Sequence, residues 1–355
     1  ALLAHIYLYQ RWVRKIAPDG RWRRRLGIGL AVITLLLLFR GPIRDIGPIV
    51  EDVYQVLAYS WIAFALCMVL ATAAGDVIHI SAAAVARLRP EAPDKTPPPA
   101  SPATIPRRDL LKAVPWGVAA GGSVLTGVGA YRAFTAPEVS TVVVPLAKLP
   151  PALDGVSIVQ LTDVHVGSFI GRRFMQMLVD SVNAEKPDLI VITGDLVDGD
   201  VSSLGPAVAE LANMRSRFGT HFVTGNHEYY SGVEEWVVEL DRLGLRVLQN
   251  QRQEIQTRGG VLDLAGVNDP TGERSDPAAG PDYAAALGDR DPDRPVVLLA
   301  HQPVAVHEAA RHGVDLQLSG HTHGGQIVPF NLLVGLEQPV VSGLATIDGT
   351  QVYVT

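Results

Sequence analysis

Five short apolar runs in the second half of this chain each end in a cluster of Asp, Asn or His, and that repeated hand-over limits the folds open to it. Residues 156–162 run into Asp163-Val164-His165-Val166-Gly167, and 189–193 into Gly194-Asp195-Leu196-Val197-Asp198. Residues 221–224 run into Gly225-Asn226-His227-Glu228, and 296–300 into His301-Gln302-Pro303. The run 316–318 leads into Gly320-His321-Thr322-His323-Gly324-Gly325-Gln326. Each run reads as a short strand bounded by turn residues. Helix patterns lie between them. Phe174, Leu178 and Val182 recur every four residues, with Met175 and Val179 beside them. A second helix is expected over 206–214, and a third with Trp236, Val237, Leu240 and Leu243 on one face, stopping at Gly244. Residues 304–311 read as a short helix and 261–265 as a further strand. Strands alternating with helices imply an α/β fold, and in layered α/β folds ligands bind outside the carboxyl ends of the strands. Five polar clusters at five such ends can meet in one cleft.

The clusters supply Asp163, His165, Asp195, Asn226, His301, His321 and His323, which are oxygen and nitrogen donors with no sulfur. Such donors suit divalent Mn, Fe or Zn better than Ca or Cu(I). They are too many for one tetrahedral zinc and fit two divalent metal ions sharing a bridge. Two such ions, ~3.5–4 Å apart, can hold a hydroxide between them and stabilise both oxygens of a phosphoryl transfer. On an extended strand, i and i+2 share a face, so His321 and His323 could converge on one place as the strand ends.

Asp-x-His, Gly-Asp-x-x-Asp, Gly-Asn-His-Glu, a later His and Gly-His-x-His, in that order over residues 156–326, resemble the calcineurin-like metallophosphoesterase superfamily. Gly-His-Thr-His-Gly-Gly-Gln behind a membrane or export segment is most similar to its membrane-associated bacterial branch. The resemblance implies a two-sheet β-sandwich flanked by helices and a metal-dependent phosphoric ester hydrolase. It implies that Asp163, His165 and His323 hold one metal, that Asn226, His301 and His321 hold the second, and that Asp195 bridges them. His227 is then the catalytic acid or charge stabiliser, and Asp198 orients it. A metal-bridging hydroxide attacks phosphorus in line. Glu228 stays open between a structural and a chemical role. Arg172 and Arg173 read as a solvated helix start rather than as phosphate contacts, and His221, His307 and His312 match no motif. Residues 344–355 are expected to form a hairpin that turns at Asp348-Gly349.

The first part of the chain has a different texture. The hydrophobic share is 48%, and the excess lies before residue 135, where apolar blocks alternate with arginine clusters. Residues 1–9 read as the tail of a span and lead to Arg11, Arg14, Lys15, Arg21, Arg23, Arg24 and Arg25. The apolar run 26–39 is shorter than the ~20 residues a bilayer needs, and snorkelling arginines can extend it. The run 53–74 carries no charge and is the clearest span. Region 1–89 is therefore expected to be transmembrane and helical. A proline-rich cytoplasmic linker, 90–112, ends in Arg107-Arg108-Asp109-Leu110-Leu111-Lys112, which resembles a twin-arginine export signal. An export or transmembrane helix over 113–134 follows, and then a phosphoesterase domain over 135–355. Basic loops stay cytoplasmic, so the basic stretches 11–25 and 87–112 imply a multi-pass cell-membrane protein with its catalytic domain outside the cytoplasm. Ala1 and the extended run 351–355 are both expected to be interior to a longer chain.

The net charge of −6 weighs against a nucleic-acid partner. The one cysteine, Cys67, excludes a disulfide scaffold or a thiolate metal site within the monomer. The expected partners are a phosphate-ester substrate (a lipid head group or an envelope phosphodiester), the membrane, and the twin-arginine export machinery. Two other functions remain open: a non-catalytic, metal-dependent membrane binding module, and a nuclease of the same superfamily.

Overall fold

The computed structural model describes residues 2–17, 19–38, 48–88, 117, 120–129, 131–132, 135, 137–257, 259–325 and 330–355. The expected linker and twin-arginine motif at 90–112 lie outside the described residues, as does Gln326. The chain forms two compact units, 1–135 and 136–355.

The first unit is helical. Leu2–Leu8 continues through a π-turn, Tyr9–Val13, into Arg14–Ile16; Gly20–Leu38 and Pro48–Leu88 follow. The run expected at 26–39 lies in the second of these as far as Leu38, and the 113–134 segment is helical over 120–129. Pro48–Leu88 has 41 residues, which at 1.5 Å per residue makes it about 60 Å long. Among the described residues it holds the one stretch long and apolar enough to cross a membrane, Val53–Ile78. That stretch takes in Asp76, whose carboxylate accepts from Tyr7 Oη at 2.7 Å and pairs with Arg11. Trp12 Nε1 donates to Thr72 Oγ1 at 2.8 Å, and Trp61 Nε1 to His5 Nε2 at 2.8 Å. These polar contacts join the first helical run to the long helix, where Leu8, Ala65 and Met68 form a small buried cluster. Leu35, Leu57 and Ile62 point outward and are exposed, the arrangement that lipid rewards and water does not.

The second unit is built on two sheets. The first orders β1 (Ile158–Leu161), β2 (Leu189–Thr193), β3 (Thr220–Val223) and β4 (Arg246–Val247) side by side, all parallel. The second orders β5 (Gln251–Thr257), β6 (Gly260–Gly266), β7 (Val296–Leu299), β8 (Leu316–Ser319), β10 (Thr350–Val354) and β9 (Gly343–Ile347). β6, β7, β8 and β10 are mutually parallel, and β5 and β9 run antiparallel at the edges. Side chains alternate across each strand. Leu189 and Val191 of β2 therefore meet Leu262, Leu264, Val297 and Leu299 between the sheets. Ile192 faces the other way, toward Met175, Val179, Phe222, Trp236 and Leu240 under the helices Arg172–Ala184 and Val233–Arg242. Helices Tyr283–Leu287 and Val306–Arg311 cover the outer face of the second sheet, around Ala265, Leu298 and Ala309. The result is the expected two-sheet sandwich flanked by helices.

One helix is displaced from the sequence expectation, and one strand lies outside it. The helix expected at 206–214 is an α-helix over Val201–Val208 followed by a 3₁₀ turn, Ala209–Asn213. Asp200 starts it, its side chain accepting from Ser203 N–H at 2.9 Å, so the cap outweighs the helix-breaking tendency of Pro206. Strand β5 has no apolar alternation to betray it, because Ile255 alone among its described residues is buried. The expected hairpin is present: Thr350 pairs with Ile347 across Asp348 and Gly349, whose φ values are 49° and 88°, as a two-residue turn requires.

Trp236 has no exposed surface, and its Nε1 donates to Gly199 O at 2.9 Å, pinning the loop after β2. Trp236→Ala is expected to cost about 3–5 kcal/mol of stability, read from the denaturant midpoint by circular dichroism.

Candidate metal centre

The loops that leave β1, β2, β3, β7 and β8 pack on one another without space to spare. Asp163 N–H donates to Gly194 O and His165 N–H to Asp195 O, each at 3.1 Å. Gly194 has φ 89°, and a Cβ on it would lie 2.6 Å from Gly225 N and 2.7 Å from His301 Nδ1. A Cβ on Gly320 would lie 2.0 Å from Thr162 Oγ1 and 2.1 Å from Asp163 Oδ2. Bare backbone at these two points lets five loops share one volume. Five of the candidate residues themselves have left-handed backbone: Asp163 (φ 52°), His165 (51°), Asp195 (52°), His321 (72°) and His323 (49°). Such conformations are uncommon outside glycine and concentrate where surrounding structure imposes them.

Three groups of donors result, each able to surround a cation: Asp163, His165 and His323; His165, Asp195 and His227; Asp195, His301 and His321. His323 Nε2 is 3.2 Å from Asp163 Oδ1 and 3.2 Å from His165 Nε2. His301 Nε2 is 3.2 Å from Asp195 Oδ2 and 3.2 Å from His321 Nδ1. His321 and His323 thus do not converge on one place. Strand β8 ends at Ser319, and with both histidines left-handed the shared-face rule of an extended strand no longer applies.

Polar partners fix the orientation of the donors. His301 Nδ1 donates to Thr193 O at 2.7 Å, which sets its tautomer and leaves Nε2 toward the centre. Asp163 accepts from Thr162 Oγ1 at 2.6 Å and from His321 N–H at 2.9 Å. Asp195 Oδ1 accepts from His227 N–H at 2.8 Å. Asp198 Oδ1 accepts from His227 Nδ1 at 2.5 Å and from His165 Nδ1 at 3.0 Å, so one carboxylate orients two imidazoles. Asn226 and His227 open the helix Asn226–Ser231 rather than a loop. Glu228, on the same turn, is 1% exposed and accepts from the backbone N–H of Asp195 (3.0 Å), Leu196 (2.8 Å) and Gly225 (2.6 Å). These bonds tie the loop after β2 to the loop after β3, which is a structural role.

The charges of the centre favour a cation. Burial would raise the carboxyls of Asp163 and Asp195, but hydrogen bonds and charge from His323 and His301 respectively outweigh it and hold both below the ordinary carboxylate range. Burial would lower His301, but Asp195, Asp163 and Asp269 raise it to about 9. Burial and the neighbouring His301 together push His321 down. The hydrogen bond to Asp198 raises His227. Asn226 Oδ1 is buried with no hydrogen-bond partner among the described residues. An acceptor left dry in this way fits a metal ion, as do the carboxylate and imidazole donors around it.

The remaining candidates lie elsewhere. Arg172 Nε pairs with Glu210 Oε1 at 2.5 Å on the solvated start of its helix, and Arg173 is exposed. His221 is buried against Gln253, His307 pairs with Asp348, and His312 stacks on Tyr283. No sequence signal marks Asp198 as a partner of His165, since the contact depends on how two loops meet.

A cation that takes His301 Nε2 must displace its proton. Mn²⁺ binding to the metal-free protein at pH 7.5 is therefore expected to release about one proton, measured calorimetrically in two buffers of different ionisation enthalpy. Zero release would contradict the charge assignment.

Residues 156–325 match the calcineurin-like phosphoesterase family. A "Transmembrane protein with metallophosphoesterase domain" from Bos taurus is 43% identical over 250 residues, covering 66% of this chain and 55% of that protein. An "Uncharacterized metallophosphoesterase" from Helicobacter pylori is 39% identical over 229 residues, 64% of this chain and 60% of that protein. The "Uncharacterized metallophosphoesterase YkuE" of Bacillus subtilis is 31% identical over 232 residues, 63% of this chain and 79% of that protein. The chain thus spans little more than half of the first of these relatives. With the five motifs gathered in one centre, and with relatives of this kind, the chain belongs to the calcineurin-like metallophosphoesterase family.

Proposed function

We propose that this protein is a membrane-anchored, dinuclear-metal phosphoesterase whose active site lies outside the cytoplasm. Asp195 carries the proposal. Its Oδ2 is 3.2 Å from His301 Nε2, 3.8 Å from His165 Nε2 and 3.9 Å from His227 Nε2, so one carboxylate faces the imidazoles on both sides of the centre. Asp163, His165 and His323 would hold one divalent ion, Asn226, His301 and His321 the other, and Asp195 would serve both. Mn, Fe or Zn suits this donor set. When bound, such ions supply Lewis-acid activation of the phosphoryl group and a nucleophile at neutral pH.

The chain itself handles the proton and the geometry. His227 is held by Asp198 at Nδ1, and Tyr230 packs against its ring, centroids 5.6 Å apart at 66°. Its Nε2 stays on the Asp195 side, where it can give a proton to the leaving oxygen or hold a phosphate oxygen. Asp198 raises His227 above the ordinary imidazole value, which keeps it protonated nearer to neutral pH. Asp198 is thus a positioning residue for His165 and His227 together. The natural substrate proposed is a phosphate ester, with a lipid head group or envelope phosphodiester favoured by the membrane segments.

The full chain with Mn²⁺ is expected to hydrolyse an aryl phosphodiester. Asp195→Ala should lose both metal and activity. His227→Ala should keep its metal and lose about 10²–10⁴-fold in kcat. The rate should fall as pH rises through the raised His227 pKa, and Asp198→Asn should move that limb to lower pH. An unchanged pH profile in Asp198→Asn would remove His227 from the proton step.

The proposed address is a multi-pass one, with residues 90–112 cytoplasmic and 113–134 crossing outward, by way of the twin-arginine machinery. Its support is the distribution of arginines. Val238 is exposed on the second unit. In Val238→Cys cells, a membrane-impermeant maleimide should label the protein, and replacing Arg107 and Arg108 by lysine should abolish that labelling. Labelling only after lysis would place the domain in the cytoplasm.

A further inference from the structure

A cavity of about 220 Å³ opens next to the metal centre, at the ends of β6 and β7. His301 belongs to both, so the inner end of the cavity adjoins the Asp195–His301–His321 group. Most of its wall is apolar, from Val267, Pro270, Ala300 and Val304. Besides His301, five side chains break that lining: Asn268, Glu273, Tyr283, Glu308 and Gln302, whose Nε2 is taken up by the Asp269 carboxylate.

Their chemistry is one-sided. Asn268 is 8% exposed; its Nδ2 donates to Ala279 O at 3.1 Å, while its Oδ1 has no partner among the described residues. Glu308 is paired with Arg311. Glu273, itself exposed, makes no ion pair among the described residues and so offers the cavity an unpaired carboxylate. Burial, with smaller contributions from the charges of Glu308, Asp269 and Glu273, pushes the Tyr283 phenol up to about 12. Its ring stacks on His312 at a centroid distance of 6.0 Å.

A phosphate oxygen would be repelled here. A neutral alkyl group would leave the Asn268 amide oxygen dry. A quaternary ammonium would answer the charge but brings no N–H. A primary ammonium on a short carbon chain answers each feature. Its charge meets Glu273, its N–H meets Asn268 Oδ1, its methylenes meet the apolar wall, and an aromatic ring stands by for a cation. We propose that this cavity recognises a primary ammonium group on the alcohol part of the substrate, making the substrate an aminoalkyl phosphate diester. The proposal deepens the phosphoesterase reading and rests on it.

Three p-nitrophenyl diesters test it on the full chain with Mn²⁺: the 2-aminoethyl, 2-hydroxyethyl and 2-(trimethylammonio)ethyl esters. The aminoethyl ester should exceed the hydroxyethyl ester in kcat/KM by about tenfold or more, with the trimethylammonio ester between them. Glu273→Gln and Tyr283→Leu should each reduce that ratio severalfold. A ratio near one, or a preference for the trimethylammonio ester, overturns the proposal. A second readout does not need turnover. Ethylammonium chloride, but not ethanol, should shift the NMR signals of Tyr283, and Glu273→Gln should remove the shift. Hydrolysis of the neutral ester without that shift sinks the cavity assignment and leaves the phosphoesterase reading standing. The shift without hydrolysis of any ester does the reverse.

Discussion

The carboxylate of Asp195 is 2% exposed and lies where strand ends from two sheets meet. A buried negative charge must be compensated or it destabilises the fold. Here the compensation comes from imidazoles on both sides, His165 and His227 from the first sheet and His301 from the second. The sandwich is thus joined at its functional end by electrostatics, as well as by the apolar layer between its sheets, where Leu189 and Val191 meet Val297 and Leu299. Glu228 completes the arrangement from below. It gives three backbone N–H groups an acceptor, and so fixes the positions of Asp195 and of the helix that carries Asn226 and His227.

Much of this can be read before any coordinates. Strands such as β2 and β7 announce themselves, because unbroken apolar runs ending in Asp or His have few other uses in a layered α/β fold. The elements that escape are those whose signal is not periodic. β5 is a polar edge strand, and β4 has two residues. The Val201–Val208 helix is displaced in sequence because Pro206 reads as a start, when Asp200 is the cap.

The centre is legible residue by residue, but its internal wiring is not. The motif order names Asp163, Asp195, Asn226 and the histidines. It does not say that Asp198 serves two rings, or that Glu228 is a fastener, because both facts depend on distances between loops. The resemblance already sends His321 and His323 to different metals, but the reason they part, left-handed backbone at both, is seen only in the angles. The cavity beside His301 leaves no trace in sequence, since Asn268, Glu273, Tyr283 and Glu308 form no motif and meet only through folding.

The left-handed backbone at Asp163, His165, Asp195, His321 and His323 has a consequence for how such a centre can change over time. Each position must satisfy a chemical demand and a torsional one together, and the side chains at ease in that region are few, chiefly Gly, Asn, Asp and His. A glutamate would keep the charge of an aspartate while fitting the torsion less well, and a glycine would keep the torsion while losing the ligand. Drift at these five positions is thereby narrowed to a very small alphabet, whatever ester the surrounding loops come to favour.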